Sequence, residues 1–97
     1  MDKVLLNAPT GQIVASHGMI YPLTPCCKAS ATGTEYGTAC RSCYQEIDPM
    51  YGFCAVINDA NAHRDLEMIL DWAYNGKMAT MQRAIFASEM LAKAARK

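Results

Sequence analysis

Short apolar runs separated by turn residues occupy the first quarter of the chain. Val4-Leu5-Leu6 precedes the turn-prone residues 7–11, apolar and polar residues then alternate over residues 12–16, and Met19-Ile20-Tyr21 follows His17-Gly18. Alternation with a period of two is typical of strands, and Gly, Pro and Asn mark the turns between them. Residues 1–25 are therefore predicted to form two or three short strands in hairpin order.

From about residue 58 the apolar period becomes helical. Asn58 or Asp59 is suited to cap a first helix, and Asn75-Gly76 is suited to end it in left-handed geometry. Between these signals, apolar residues recur at i, i+3, i+4 and i+7, which places them on one face: Leu66, Ile69, Leu70 and Ala73. The pattern predicts an amphipathic helix with this face in the core.

A second helix is predicted from about Met78 to Ala95, because this segment is rich in the good helix formers Ala and Met. Its apolar side is broad, and two antiparallel helices cannot bury both faces by themselves. The helical hairpin must therefore pack on the rest of the chain, on a second copy or on a partner protein. The residues expected at such a partner surface are Met78, Met81, Ile85 and Met90.

The middle of the chain, residues 26–57, contains every cysteine. The small, turn-prone residues 29–38 indicate a hairpin tip, and residues 51–57 resemble one more strand. The predicted fold class is α+β, with a zinc-ribbon-like β-rich half over residues 1–57 and a helical hairpin over residues 58–97. The two regions are expected to form one compact domain.

Composition and charge exclude several classes of protein. Nine basic and nine acidic residues give a net charge of zero, which excludes a globally basic nucleic-acid-coating protein and an acidic tail. With 52% hydrophobic residues, the 97-residue chain is too apolar to be disordered. No signal peptide or membrane-spanning stretch is recognised, so the expected compartment is the cytoplasm, where thiols stay reduced.

The cysteine spacing indicates a metal site. Cys40-Arg41-Ser42-Cys43 turns two thiolates toward one point, and twelve residues separate it from the adjacent pair Cys26-Cys27. Five cysteines in all cannot be fully paired as disulfides within one chain. The first hypothesis is a structural zinc ion held by Cys26, Cys27, Cys40 and Cys43.

Other interpretations of the cysteines stay open. Adjacent residues in a strand point to opposite faces, so Cys26 and Cys27 could not both reach one ion from a strand. In the alternative ligand set, His17 or Cys54 therefore replaces one of them. Inert buried thiols are a further interpretation, and Cys54 fits it best. A redox dithiol at Cys40 and Cys43 is disfavoured because Pro49 prevents the long helix that such a motif needs.

Two short segments resemble a known group of proteins. Pro25-Cys26-Cys27-Lys28-Ala29-Ser30 with Cys40-Arg41-Ser42-Cys43-Tyr44 is similar to small zinc-ribbon proteins of actinobacteria and their phages. In those proteins a Cys-Cys-Gly-Ala-Ser segment precedes a Cys-Arg-x-Cys-Tyr segment, so Lys28 stands in place of a glycine. The resemblance covers about residues 20–48 and implies a metal site in a phage or mobile-element accessory protein.

The leading functional hypothesis is a non-enzymatic, zinc-stabilised protein-binding module, such as an inhibitor of a host protein. The alternative is a nucleic-acid-binding zinc ribbon. In it Lys28 and Arg41 contact phosphates, Tyr36 or Tyr44 stacks on bases, and the basic residues that end the chain contribute. A small zinc or dithiol enzyme ranks last, because no motif places a general base.

Overall fold

The computed structural model describes residues 3–95 of the chain, and its elements follow the predicted order of strands and then helices. This mixed α+β architecture confirms the predicted fold class. Its elements are β1 (Lys3–Ala8), β2 (Gly11–Ser16), β3 (Met19–Pro22), β4 (Ala31–Thr34), β5 (Gly37–Cys40), a 3-10 helix (Pro49–Gly52), β6 (Ala55–Val56), α1 (Ala62–Ala73) and α2 (Thr80–Ala95).

The first three strands and β6 form one antiparallel sheet in the order β1-β2-β3-β6. His17 and Gly18 form the two-residue turn between β2 and β3, and both have positive φ angles, as the right-handed twist of a tight hairpin requires. Gly11 opens β2 with a φ of +140°, and a Cβ there would lie 3.0 Å from the Leu23 carbonyl oxygen. The predicted hairpin order of the N-terminal strands is confirmed.

Both helices pack against one face of this sheet. Ile13 and Ala15 of β2 and Ile20 of β3 meet the predicted apolar face of α1 in a single buried cluster. All four residues predicted for that face are fully buried: Leu66, Ile69, Leu70 and Ala73. The β-rich and helical parts of the chain therefore share one hydrophobic core.

Two boundaries differ from the prediction. Residues 51–57 do not form one strand, because a 3-10 helix covers Pro49–Gly52 and only Ala55–Val56 pairs with β3. The first helix begins at Ala62 with Asn61 as N-cap, not at Asn58 or Asp59. Asp59 instead accepts the backbone N–H of Asn61 at 2.8 Å through its carboxylate, so it holds the preceding turn.

Strands β4 and β5 form a separate two-stranded hairpin. Residues 29–38 thus contain most of a regular hairpin rather than only its tip, and the turn itself lies at Glu35-Tyr36. The 3-10 helix connects this hairpin to the main sheet, since the Tyr51 hydroxyl donates to the Thr10 carbonyl at 2.7 Å. The Tyr51 ring also packs edge-on against Trp72 of α1, with centroids 4.8 Å apart.

Across residues 3–95, neither helix combines the length and apolarity needed to span a membrane.

Candidate metal centre

Four cysteine sulfurs meet at the base of the β4–β5 hairpin. Cys26 and Cys27 lie in the turn that follows β3, while Cys40 ends β5 and Cys43 lies in the turn after it. Their sulfur atoms all lie within 4.8 Å of one another. The hairpin brings the two pairs together because the register of β4 and β5 sets Ala31 opposite Cys40.

The turn over residues 40–45, here called the second cysteine turn, has two closing hydrogen bonds. The Tyr44 N–H donates to the Cys40 carbonyl at 2.8 Å, and the Cys40 N–H donates to the Gln45 carbonyl at 3.0 Å. Tyr44 itself adopts a left-handed conformation with a φ of +59°. This backbone geometry turns the side chains of Cys40 and Cys43 toward the same point.

The turn over residues 24–29, here called the first cysteine turn, is closed in the same way. The Lys28 N–H donates to the Thr24 carbonyl at 2.9 Å, and the Thr24 N–H donates to the Ala29 carbonyl at 2.7 Å. Lys28 has a φ of +49°, so it takes the left-handed conformation that glycine adopts most readily. The departure from glycine at Lys28 is therefore accommodated in the backbone.

The adjacent cysteines converge because they lie in this turn and not in a strand. Both Cys26 and Cys27 are exposed, and the Cys26 sulfur lies 3.5 Å from that of Cys43. Cys40 is the buried member of the cluster. The site thus has one buried sulfur and three on its solvent side.

Hydrogen bonds favour the thiolate form of Cys40 and disfavour that of Cys27. The Thr24 hydroxyl lies 3.3 Å from the Cys40 sulfur, and it is the main cause that lowers the pKa of Cys40 to about 6, with the backbone N–H groups of Cys43 and Ser42 adding to it. Hydrogen bonding with the Cys43 thiol is the main cause that raises the pKa of Cys27 to about 12. Cys40 is consequently the first of these two thiols to offer a thiolate to a cation.

The cluster fits a tetrahedral metal ion. A tetrahedron with metal–sulfur bonds of about 2.3 Å separates its sulfurs by about 3.8 Å, so sulfurs within 4.8 Å need only small movements to close around an ion. Four sulfur donors suit a soft or borderline cation and poorly suit Mg²⁺ or Ca²⁺. The four cysteines can hold a metal ion.

The alternative ligands lie elsewhere. The His17 ring contacts the Ser16 hydroxyl through Nδ1 at 2.8 Å, and the Cys54 thiol donates to the Met19 sulfur at 3.9 Å. Neither belongs to the cluster of four cysteines, which is the one group of potential ligands that residues 3–95 bring together. The geometry therefore favours the four-cysteine set over the set that recruits His17 or Cys54.

The four residues expected at a partner surface divide into two pairs. Met81 is 77% exposed and Ile85 is 51% exposed, one helical turn apart on α2. Met78 and Met90 are buried, so assigning them to a partner surface was wrong. Met90 belongs to the core that α2 shares with the sheet, because the buried face of that helix runs through Ala87 and Met90.

Two exposed aromatic side chains share a groove on the β4–β5 hairpin. Tyr36 and Tyr44 line it together with Thr38 and Glu46. The basic residues proposed to contact phosphates, Lys28 and Arg41, are exposed in the two cysteine turns. The basic residues Arg96 and Lys97 at the end of the chain lie outside the described residues.

Polar contacts between α1 and α2 were not predicted from the sequence. His63 contacts the Ser88 hydroxyl of α2 through Nε2 at 3.1 Å, and within α1 it contacts the Glu67 carboxylate through Nδ1 at 2.9 Å. The contact within α1 also was not predicted. Arg83 donates to Asp71 at 2.8 Å. The spacing of His63 and Glu67 at i and i+4 is the signal that could have indicated the contact within α1.

Thr24 is the residue near the metal centre that sequence reasoning missed. It is 1% exposed, its hydroxyl accepts the Ala29 N–H at 3.1 Å, and it contacts Cys40. The signal was present in the spacing, because Thr24 precedes Cys27 by as many residues as Cys40 precedes Cys43.

No family model, curated protein or solved structure matches the chain.

Proposed function

We propose that this protein is a small zinc-stabilised module that binds another protein through α2. The observation that carries the proposal is the exposed apolar pair Met81 and Ile85 on a helix whose opposite face is fixed in the core. An exposed Met beside an exposed Ile gives an adaptable apolar contact surface. The helix is anchored, so the pair has a defined position relative to the rest of the molecule.

Zinc is the proposed ion because all four donors are cysteine sulfurs, the ligand set most typical of structural zinc. A site filled by four protein ligands has no open position for water, so the proposed role of the ion is structural and the proposed module does not use it for catalysis. Zinc sites in small domains contribute about 10–16 kcal/mol of apparent binding free energy at pH 7. Whole domains are stable by only about 5–15 kcal/mol, so such a site is large enough to decide whether the cysteine turns fold.

The resemblance to small zinc-ribbon proteins of actinobacteria and their phages supports an accessory role. In this proposal the module comes from a phage or mobile element and inhibits or modulates a host protein. Free thiols at all five cysteines suit a reducing compartment and so support the proposal that the module acts in the cytoplasm. A second copy of the chain is the other partner that the apolar pair on α2 would suit.

A double variant tests the role of α2. We expect Met81→Glu with Ile85→Glu to abolish partner binding while zinc content and the thermal unfolding midpoint stay near native values. The physical reason is that both side chains are already exposed, so the charges disturb a contact surface and not the core. The measurement is crosslinking of the zinc-loaded protein in cells of a host in which it is active, with sedimentation of the purified protein to detect a second copy.

The matched control is Thr80→Glu with Gln82→Glu. Both residues are exposed on the same turn of α2, so the control adds the same two charges without removing an apolar side chain. It is expected to retain the native crosslink or dimer. Equal binding by the Met81/Ile85 variant and the native protein would overturn the proposed role of α2.

The second candidate function is single-stranded nucleic-acid binding by the cysteine hairpin. The observation that favours it is the groove shared by the exposed Tyr36 and Tyr44, with Lys28 and Arg41 exposed in the adjoining turns. Phosphate contacts release counterions, so binding would weaken steeply between about 50 and 200 mM salt. Fluorescence anisotropy with a labelled oligonucleotide measures this, and absence of binding at 50 mM salt would exclude the candidate.

A further inference from the structure

The two cysteine turns are equivalent in backbone but differ in the residues at their ligand positions. In each turn the residue at the fifth position donates its N–H to the carbonyl of the first, and the first donates its N–H to the carbonyl of the sixth. The fifth residues, Lys28 and Tyr44, are both left-handed. Thr24 therefore corresponds to Cys40, and Cys27 corresponds to Cys43.

This correspondence sets Cys26 apart from the other three cysteines. Cys27, Cys40 and Cys43 occupy the first or fourth position of a turn, while Cys26 occupies the third position of its turn, where the other turn has Ser42. The buried first position of that turn holds Thr24, whose hydroxyl contacts Cys40 and accepts the Ala29 N–H. Cys26 thus supplies the fourth sulfur from the third position of its turn, and the third position of the second cysteine turn holds no ligand.

The surroundings of Cys26 also differ from those of Cys40. The Cys40 sulfur is buried and lies 3.3 Å from the hydroxyl of Thr24, which is buried as well. The Cys26 sulfur instead contacts the exposed thiol of Cys43, at 3.5 Å. Cys26 is exposed, so its coordination position faces solvent.

We propose that Cys26 is the exchangeable ligand of the metal centre, and that a thiolate from outside the chain can take its place. This inference rests on the proposed zinc site. In the exchange, the metal–sulfur bond of Cys26 breaks and a bond to the incoming sulfur forms. The proton of the incoming thiol passes to the Cys26 sulfur, so no oxidant or reductant takes part.

Cobalt titration of the native protein and three variants tests this proposal, because the sulfur-to-cobalt absorption reports bound thiolates. The variants are Cys26→Ser, Cys40→Ser, and the exchange variant Thr24→Cys with Cys26→Ser. For Cys26→Ser we expect one bound cobalt with about three quarters of the native sulfur-to-cobalt absorption, since three of four thiolates remain. Added 2-mercaptoethanol should restore the native spectrum.

The two remaining variants are controls for the result expected of Cys26→Ser. Thr24→Cys with Cys26→Ser is expected to give the native spectrum without added thiol, because the new sulfur lies at the first position of the turn. Cys40→Ser is expected to gain nothing from 2-mercaptoethanol, since that position is buried. On the native zinc-loaded protein, N-ethylmaleimide should modify Cys26 before the other three ligands, as peptide mass spectrometry would show.

The outcomes separate this inference from the zinc site itself. Failure of the native protein to bind cobalt or zinc would overturn the proposed site and the inference with it. The native protein could bind the metal while neither 2-mercaptoethanol nor Thr24→Cys restores the native spectrum of the Cys26→Ser variant. That result would overturn the inference and leave the zinc site standing. Earlier modification of Cys27 or Cys43 than of Cys26 would also overturn it.

Discussion

Replacing Cys40 by serine is expected to abolish tight metal binding and to unfold the cysteine turns. Cys40 is the buried sulfur of the cluster, and the buried hydroxyl of Thr24 lies 3.3 Å from it. Changes to residues that merely support a ligand weaken metal affinity by about 10–100-fold, so removing this ligand should weaken it by about 100-fold or more. Competition with a chromophoric zinc chelator measures the affinity.

The matched control is Cys54→Ser. Cys54 lies outside the cluster and contacts Met19, so the same atom change there should leave zinc affinity within about threefold of native. Amide exchange would locate the consequence in the Cys40 variant, with protection lost at the Lys28 and Tyr44 N–H groups that close the two turns. Equal zinc affinity for the Cys40 and Cys54 variants would contradict the four-sulfur site.

Replacing Leu70 by alanine is expected to be the most destabilising change in the helical part of the chain. Leu70 is fully buried where α1 meets the sheet, and truncating such a leucine leaves a cavity as well as losing apolar burial. We expect a loss of about 2–5 kcal/mol in the free energy of unfolding. In a domain of this size each kcal/mol lowers Tm by about 4–8 °C, which calorimetry of the zinc-loaded protein would detect.

Met68→Ala is the control for this prediction. Met68 lies on the same helix but is 49% exposed, so its truncation should cost less than about 1 kcal/mol. Metal content should be native in both variants, because both residues lie on α1 and the proposed ligands are the four cysteines. A Leu70 variant as stable as the Met68 variant would mean that α1 does not pack on the sheet as described.

The two helices show why one amphipathic face was predictable and the other was not. In α1, Leu66, Ile69 and Leu70 recur at helical spacing and identify the buried side, although Met68 lies on the exposed side. In α2 alanine and methionine are spread around the helix, and the packing that selects Ala87 and Met90 as buried residues depends on the sheet. Composition could therefore predict the α2 helix but not its orientation.

The four cysteines of the metal centre were predictable from the sequence, but the supporting residue Thr24 was not. The spacing of the two cysteine pairs was enough to predict four sulfurs at one point, because a hairpin between them brings the pairs together. The signal for Thr24 lay only in its three-residue spacing from Cys27, because a hydroxyl beside a proline usually indicates no more than a turn. The role of Thr24 depends on the backbone hydrogen bonds that close its turn, and these bonds form only in the folded chain.

Native mass spectrometry of protein purified without chelator shows whether four cysteine sulfurs hold one metal ion. We expect one zinc ion per chain in the native spectrum and its loss on denaturation, with all five thiols reduced. A metal-free chain, with a denatured mass lowered by the hydrogens lost to disulfides, would contradict this expectation. In that case the cysteine turns would be covalently linked, and the zinc-dependent part of the proposed function would fall with them.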